Sequence, residues 1–428
     1  MSNSDYTSSS CLSESTYTDS LTDSSQSNNL QLKGKILNNY NIISELGRGA
    51  YSIVWLAFNI TDSKYYAIKV QNPDDYIDGK DEIKILKKIP QESVYINKLS
   101  NYFIENEFVN NNIEKFVCSA YELCCGNLDG LTRKGKYKNG LPQDIVKKIF
   151  KQLCLAVTTL HTEMKIFHGD IKPDNILLCG LNNRDKKYIE LYDKADFTNL
   201  YSKIKKEYWI SKGKNIKHIK KMDVETKLKI RQKIHNAIID NMEENKEDIF
   251  KFDDKYLKEV NIKLTDFGHF CPDDEIMEEP FGTQYYMAPE IILMGDCKKS
   301  VDIWALGCTL FELLTGEILF DIDKIDNDDY SDDAINLSLM VDLCGKFNQD
   351  MVKNTQFYKK YFEKKNKLKY NLKKYNETPK LEQLKERLKK HNIENLDLIV
   401  DLLDKMIKLS PAKRIKINDI LSHEWMNN

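Results

Sequence analysis

The residues best suited to chemistry stand together at His168-Gly169-Asp170-Ile171-Lys172-Pro173-Asp174-Asn175. Asp170 offers a carboxylate, Lys172 an ammonium two residues on, and Asn175 an amide three residues beyond that. One loop furnished in this way suits phosphoryl transfer. The carboxylate can orient an acceptor hydroxyl, the ammonium can steady the transferring charge, and the amide oxygen can help hold a magnesium ion. Lys69 in Ala67-Ile68-Lys69 and Asp266 in Asp266-Phe267-Gly268 add a second cation and a second carboxylate. Gly47 and Gly49 permit a sharp turn whose backbone N–H groups can approach phosphates, and Ser52 is small enough to continue it.

These marks follow one another in a known order. The loop resembles the protein-kinase pattern H-R-D-x-K-x-x-N, with Gly169 where the arginine stands, and Ala288-Pro289-Glu290 closes the series. The resemblance implies an α+β, bilobal kinase fold: a small, mostly-β N-lobe over 37–124 and a large, mostly-α C-lobe over 125–428. It implies ATP and Mg2+ as cofactors. Gly47, Gly49 and Ser52 would lie over the phosphates and Val54 on the adenine face. Lys69 would bind the α/β-phosphates, held by Glu82. The backbone at Glu122 and Cys124 would meet the adenine edge, with Tyr121 limiting the pocket's depth. Asn175 and Asp266 would hold the metal, and Asp170 and Lys172 would carry the transfer. Thr283 would contact Asp170 and Lys172, Asp302 would tie down the catalytic loop, and Glu290 would pair with Arg414.

The elements that must position these groups can be read around them. Residues 1–36 are largely Ser, Thr, Asp and Asn and are expected to be a disordered tail, with order beginning near Tyr40. Tyr40 to Leu46, Val54 to Ala57, Tyr65 to Val70 and Lys115 to Leu123 read as strands. Lys80 to Lys88 has helical periodicity that places Glu82 rather than Asp81 toward Lys69. The stretch from about 90 to 115 reads as loose, and Leu141 to Met164 as a long amphipathic helix. Residues 180–258 interrupt the core before the Asp266 strand. This insert is lysine-rich, basic from Lys203 to Lys233, with one helix over Glu225 to Met242. It is expected to be a mostly disordered or loosely helical spacer extending from the large lobe.

The resemblance narrows to the serine/arginine-protein kinase family. Gly49 to Leu56, Asp81 to Lys87, Leu141-Pro142, Asp170 to Leu178, the position of the insert, and Leu339 to Gly345 all carry it. It implies protein substrates with basic or Arg/Ser-rich segments, read by an acidic groove in which Glu317 and Asp342 hold docking positions. Ile335 stands at a third such position without charge, and Gln284, Met287 and Asp332 stand where the family has basic groups. Those departures point to phosphorylation of one site at a time. Gly169 removes the arginine that answers a phosphate on the activation segment, so activity without such phosphorylation is expected. The alternatives are a general Ser/Thr kinase without Arg-Ser preference and a pseudokinase that serves as an interaction module.

Composition limits the rest. The 428 residues carry a formal net charge of −2, which gives no global field for nucleic acid, although the insert's basic face could bind RNA. The 10 cysteines show no zinc spacing and suit a reducing compartment. No apolar run reaches the length of a membrane span, so no membrane partner is expected. A cytoplasmic monomer with access to the nucleus is the expectation. Abundant Asn, Lys and Ile suit an AT-rich genome such as that of a protist or a giant DNA virus, in which case the host cell is the site of action.

Overall fold

The computed structural model describes residues 31–428, apart from 110–111, 134–136, 214–221, 243–253, 273–276, 327–328, 364–366, 371–377, 392 and 428. The tail expectation for 1–30 lies outside the described residues. The boundary at 36 is too late: Leu32 is fully buried and Ile36–Leu37 forms strand β1. Apolar anchors at Leu32 and Leu37 tie down a stretch that its polar neighbours made look loose.

The small lobe is built on a six-stranded antiparallel sheet in the order β1-β2-β3-β4-β6-β5. Its further members are β2 (Tyr40–Arg48), β3 (Ser52–Asn59), β4 (Lys64–Gln71), β5 (Asn101–Val109) and β6 (Asn112–Tyr121). Helix α1 (Tyr76–Leu86) packs against β6 with Glu82, Ile83, Ile85 and Leu86 buried. Register sets the chemistry. Gly47 faces Val54, Val54 faces Lys69, and Lys69 faces Ser119, so these side-chain positions line up across one face of the sheet. A register shift between Glu45 and Gly47 bends β2 where the glycine turn begins. Strand β5 falls where the sequence suggested a loose segment. It is an edge strand with Tyr102 and Ile104 exposed and Phe103 buried, and its pairing with β6 overrides the weak strand preference of its asparagines.

The large lobe starts with β7 (Cys124–Asn127), α2 (Leu128–Arg133) and α3 (Gln143–Thr158), then β8 (Ile166–Phe167) and β9 (Ile176–Cys179). Ile145, Ile149, Leu153 and Leu160 all point into the core, as their spacing required. Pro142 sits at the N-cap, just outside the first turn. The helix closes in a wider turn over Thr159–Met164 that ends at Lys165, in the left-handed region.

The insert then contributes α4 (Asn183–Asp193), α5 (Phe197–Ser211), α6 (Val224–Ile239) and α7 (Asp254–Glu259). Strand β10 (Ile262–Leu264) returns beside β9, which in turn pairs with β7, and β11 (Cys271–Pro272) pairs with β8. Helices α8 (Pro289–Ile292), α9 (Ser300–Thr315) and α10 (Asp332–Cys344) follow. The lobe is completed by α11 (Gln349–Val352), α12 (Tyr358–Tyr361), α13 (Lys380–Lys389), α14 (Leu396–Met406), α15 (Ile417–Leu421) and α16 (Glu424–Asn427). Trp425 in α16 is fully buried beside Phe150 of α3.

The described part of the insert is not the loose spacer expected of it. Helices α4, α5 and α6 have Asn182, Asp196 and Asp223 as N-caps, each accepting from a backbone N–H in the first turn. Nor does it simply extend from the large lobe. Tyr188, Tyr192, Ile238 and Ile239 form one apolar cluster with Ile43 and Leu56 of the small-lobe sheet, and Phe58 and Tyr65 pack against it. A polar relay runs through the contact. Arg231 donates to Asn41 Oδ1, Asn41 Nδ2 donates to the Tyr192 hydroxyl at 2.8 Å, that hydroxyl lies 3.2 Å from His235 Nδ1, and His235 Nε2 meets Ile42 O at 2.8 Å. The charge count hid this surface, because the lysines of these helices face outward while a few aromatic and isoleucine positions face the sheet.

Candidate active site

The site is assembled from the sheet face, α1 and two loops. Lys69 Nζ lies 3.0 Å from both Glu82 carboxylate oxygens and 3.3 Å from Asp266 Oδ1. Burial works against the Lys69 charge. The Glu82 and Asp266 carboxylates outweigh that and hold its pKa above the ordinary lysine value. Glu82 is only 4% exposed, whereas Asp81 turns outward to an exposed pair with Lys84, as the helical spacing predicts. Asp266 has φ +66, a conformation a non-glycine residue seldom adopts. Its surroundings oppose charge, yet Lys69, His168 and Lys172 together keep its pKa below the ordinary carboxylate value.

The catalytic loop turns Asp170, Lys172 and Asn175 toward one another. Lys172 Nζ lies 2.9 Å from Asp170 Oδ2, and Asn175 Nδ2 donates to Asp170 O at 2.8 Å and Oδ2 at 3.1 Å. Asp170 Oδ1 is buried without a hydrogen-bond partner. An orphaned buried carboxylate oxygen is costly unless something arrives to meet it. Asp302, fully buried in α9, accepts from the backbone N–H groups of His168 and Gly169 and lies 2.8 Å from His161 Nε2. Burial works against the Asp302 charge, but His161 and these donors hold its pKa down.

Gly169 and Gly282 explain each other. Gly169 has φ +84, and a Cβ there would stand 2.6 Å from His269 O; Gly282 has φ +86, and a Cβ there would stand 2.6 Å from Gly169 O. The end of the activation segment therefore lies directly on the catalytic loop, a close approach that side chains would block. Thr283 Oγ1 accepts from Lys172, while no bond joins it to Asp170 among the described residues. Glu290 and Arg414 form a buried, two-armed pair at 2.5 and 2.7 Å.

The other predicted positions are placed as follows. Gly47 has open space where a Cβ would be, a Cβ at Gly49 would stand 3.8 Å from Ser52 O, and the Gly49 N–H donates to that oxygen, which closes the turn. Ser52 and Val54 are half-buried on β3. Tyr121 is buried next to Glu82 and Lys69. The exposed Glu122 side chain pairs with Lys263, and Cys124 opens β7 opposite Cys179. Glu317 is engaged by Arg387 of α13 at 3.6 Å, and the Asp342 backbone accepts from Gln383 of the same helix. Ile335 is buried core.

Sequence reasoning missed two supports. Gln71 Nε2 donates to Glu82 Oε2 at 2.9 Å, and it reaches that position because Gly79 of α1 leaves room: a Cβ at Gly79 would stand 1.7 Å from Gln71 Oε1. A glycine inside a helical pattern was the available signal. His161, the buried partner of Asp302, had no sequence signal of its own.

With this geometry in view, the relatives are informative. The protein kinase domain matches residues 40–197 and 233–426, and the chain belongs to that family. A serine/threonine-protein kinase SRPK of Physarum polycephalum is 29% identical over 400 residues, which span 91% of this chain and 86% of that protein. A protein of Acanthamoeba polyphaga mimivirus named as a serine/threonine-protein kinase is 25% identical over 481 residues, 91% of this chain and 87% of that one. Protein kinase dsk1 of Schizosaccharomyces pombe is 24% identical over 451 residues, 90% and 80% of the two chains. The protein is an ATP-dependent enzyme of the eukaryotic Ser/Thr kinase type, related to kinases that include SRPK. Among the described residues, no helix is long and apolar enough to cross a membrane.

Proposed function

We propose that this kinase phosphorylates Ser or Thr within basic protein segments, one site at a time. In this reading Asp170 receives the acceptor hydroxyl at its unpartnered Oδ1, and the hydroxyl oxygen attacks the terminal phosphoryl of ATP. Lys172, already between Asp170 and Thr283, neutralises charge as it builds on the phosphoryl oxygens. Lys69, fixed by Glu82, holds the inner phosphates. The backbone from Glu122 to Cys124 lies along the adenine edge, with Val54 above it and the Gly47, Gly49 and Ser52 turn over the phosphates. Asn175 and Asp266 offer hard oxygen donors that fit magnesium, which supplies charge neutralisation on the phosphates when bound. The observation that carries the transfer reading is the orphaned Asp170 Oδ1 beside an assembled Lys69–Glu82–Asp266 cluster. A pseudokinase would have no need of that costly arrangement.

The basic-substrate reading rests on charge next to the activation segment. Tyr285 donates to Asp323 at 2.8 Å, and Asn336 donates to Gln284 O at 2.6 Å, so the acidic stretch from Asp323 to α10 flanks the segment's end. Asp323, Asp326, Asp329 and Asp332 are exposed there. Glu317 supports docking less strongly, because Arg387 already shares its charge. That pairing favours the second reading, a general Ser/Thr kinase. Phosphate transfer into a positional peptide library separates the two. Enrichment for Arg around the acceptor, lost in the double variant Asp326→Asn, Asp329→Asn, supports the first. Equal transfer into neutral peptides supports the second.

A further inference from the structure

Two half-exposed cysteines meet where the small lobe joins the large one. Cys124 and Cys179 are directly opposed residues of the antiparallel strands β7 and β9. The Cys179 N–H bonds Asn261 O on the other side, and its carbonyl accepts from the Tyr256 hydroxyl. Cys179 thus turns its backbone groups away from β7 and stands opposite Cys124 beside a register shift between Cys124 and Gly126; in a regular non-hydrogen-bonded pair the Cα atoms lie about 4.5 Å apart. That separation falls inside the range a disulfide spans, about 4.4–6.8 Å. The two thiols are close enough that each shifts the pKa of the other. Other described cysteines lack this combination: Cys125 is buried against Leu178 O, and Cys118, Cys154 and Cys308 are buried in the core.

We propose that Cys124 and Cys179 form a reversible disulfide under peroxide, and that the oxidised kinase binds ATP poorly. The neighbouring Cys124 thiol and the Lys263 ammonium hold the Cys179 thiol below its ordinary pKa against its partial burial, while the neighbouring Cys179 and burial push Cys124 up. Cys179 is therefore the attacking thiolate. It takes one oxygen from hydrogen peroxide, releasing hydroxide and becoming a sulfenic acid. The Cys124 sulfur then attacks the sulfenic sulfur, its proton leaves with the departing hydroxyl as water, and the S–S bond forms. Two thiols and one peroxide give one disulfide and two waters. The sulfurs must close to about 2.05 Å, which ties the Cys124 backbone covalently to β9, and whatever closure side-chain rotation does not supply shifts that backbone. The kinetic consequence rests on the placement of adenine along Glu122 to Cys124 proposed above; the cross-link does not. A displacement of order 1 Å at a substrate-positioning group costs up to about 100-fold in rate.

The test is peroxide treatment of the full chain, followed by non-reducing peptide mapping and by the KM for ATP. The proposal predicts a 124–179 linked peptide and a KM raised at least fivefold, both reversed by dithiothreitol and both absent in Cys179→Ser. Cys179 is not itself among the residues placed at the nucleotide or the acceptor, and Cys179→Ser leaves the Cys124 backbone in place, so that variant should keep the basal rate. Linkage of Cys124 to Cys125, or over-oxidation of Cys179 without a link, overturns the pairing. A 124–179 link with unchanged KM overturns the switch and leaves the kinase reading standing.

Discussion

Tyr192 is the sharpest test of how the insert sits. Its ring is fully buried between Phe58, Tyr65, Phe197 and His235, and its hydroxyl stands between Asn41 Nδ2 and His235 Nδ1. Tyr192→Phe keeps the ring and removes the hydroxyl, leaving the Asn41 donor buried without an acceptor at a cost of about 1–3 kcal/mol. Tyr192→Ala also empties the ring's volume, and aromatic-to-alanine changes in cores cost about 3–5 kcal/mol. For a chain of this size each kcal/mol lowers Tm by roughly 1 °C. Thermal unfolding should therefore fall by roughly 1–3 °C for the phenylalanine variant and 3–5 °C for the alanine variant. Phe58 and Tyr65 belong to the strands that carry Val54 and Lys69, so Tyr192→Ala should also raise the KM for ATP. A Tm within 1 °C of the parent for both variants would mean the insert is the loose spacer its lysines suggested.

Other consequences can be measured directly. Burial lowers the His235 pKa to about 4 against 6.5 when unfolded, so the folded state holds this imidazole neutral. Its contribution is complete above pH 6.5 and is lost as pH falls toward 4, about 3 kcal/mol in all. His235→Gln should flatten the fall in Tm across that window; an unchanged slope would contradict the buried neutral relay. Restoring the usual arginine by Gly169→Arg should cost at least tenfold in kcat, and Gly169→Ala should do nearly as much, because the positive φ and the His269 carbonyl reject any Cβ. A fully active Gly169→Ala would refute that reason. Arg414→Ala leaves Glu290 buried without its partner and should destabilise the large lobe by about 3–5 kcal/mol, read by chemical denaturation. Dephosphorylated protein should retain its kinase rate, since Gly169 leaves no loop arginine to be answered; dependence on phosphate within 269–286 would contradict this.

What the sequence made legible was chemistry carried by residues close along the chain or fixed by strand and helix period. Asp170, Lys172 and Asn175 lie within one loop. The alternation of β3 and β4 set Val54 and Lys69 on one face, and the turn of α1 selected Glu82 over Asp81. Helix α3 followed its apolar repeat. What stayed hidden depended on distant partners. The β5 strand has little strand-forming preference at Asn101 and across Glu105-Asn106-Glu107, and exists because β6 supplies its hydrogen bonds. The insert reads as a solvated lysine run until Ile43 and Leu56 are placed beneath Tyr192 and Ile238. The charge of Glu317 looked available until Arg387 was found beside it. Gln71 and His161 act only through Glu82 and Asp302, so nothing in their own neighbourhoods announces them.

The central claim is that Asp170 carries phosphoryl transfer while Lys69 and Glu82 hold the nucleotide. Transfer of labelled terminal phosphate from Mg-ATP into a Ser peptide flanked by Arg, beside nucleotide binding to the same preparations, tests it most directly. Wild type should transfer, Asp170→Ala should lose at least 100-fold in kcat with nucleotide affinity nearly unchanged, and Lys69→Met should weaken nucleotide binding as well. Transfer undiminished in Asp170→Ala, or a wild-type chain that binds nucleotide and transfers nothing, would contradict the account.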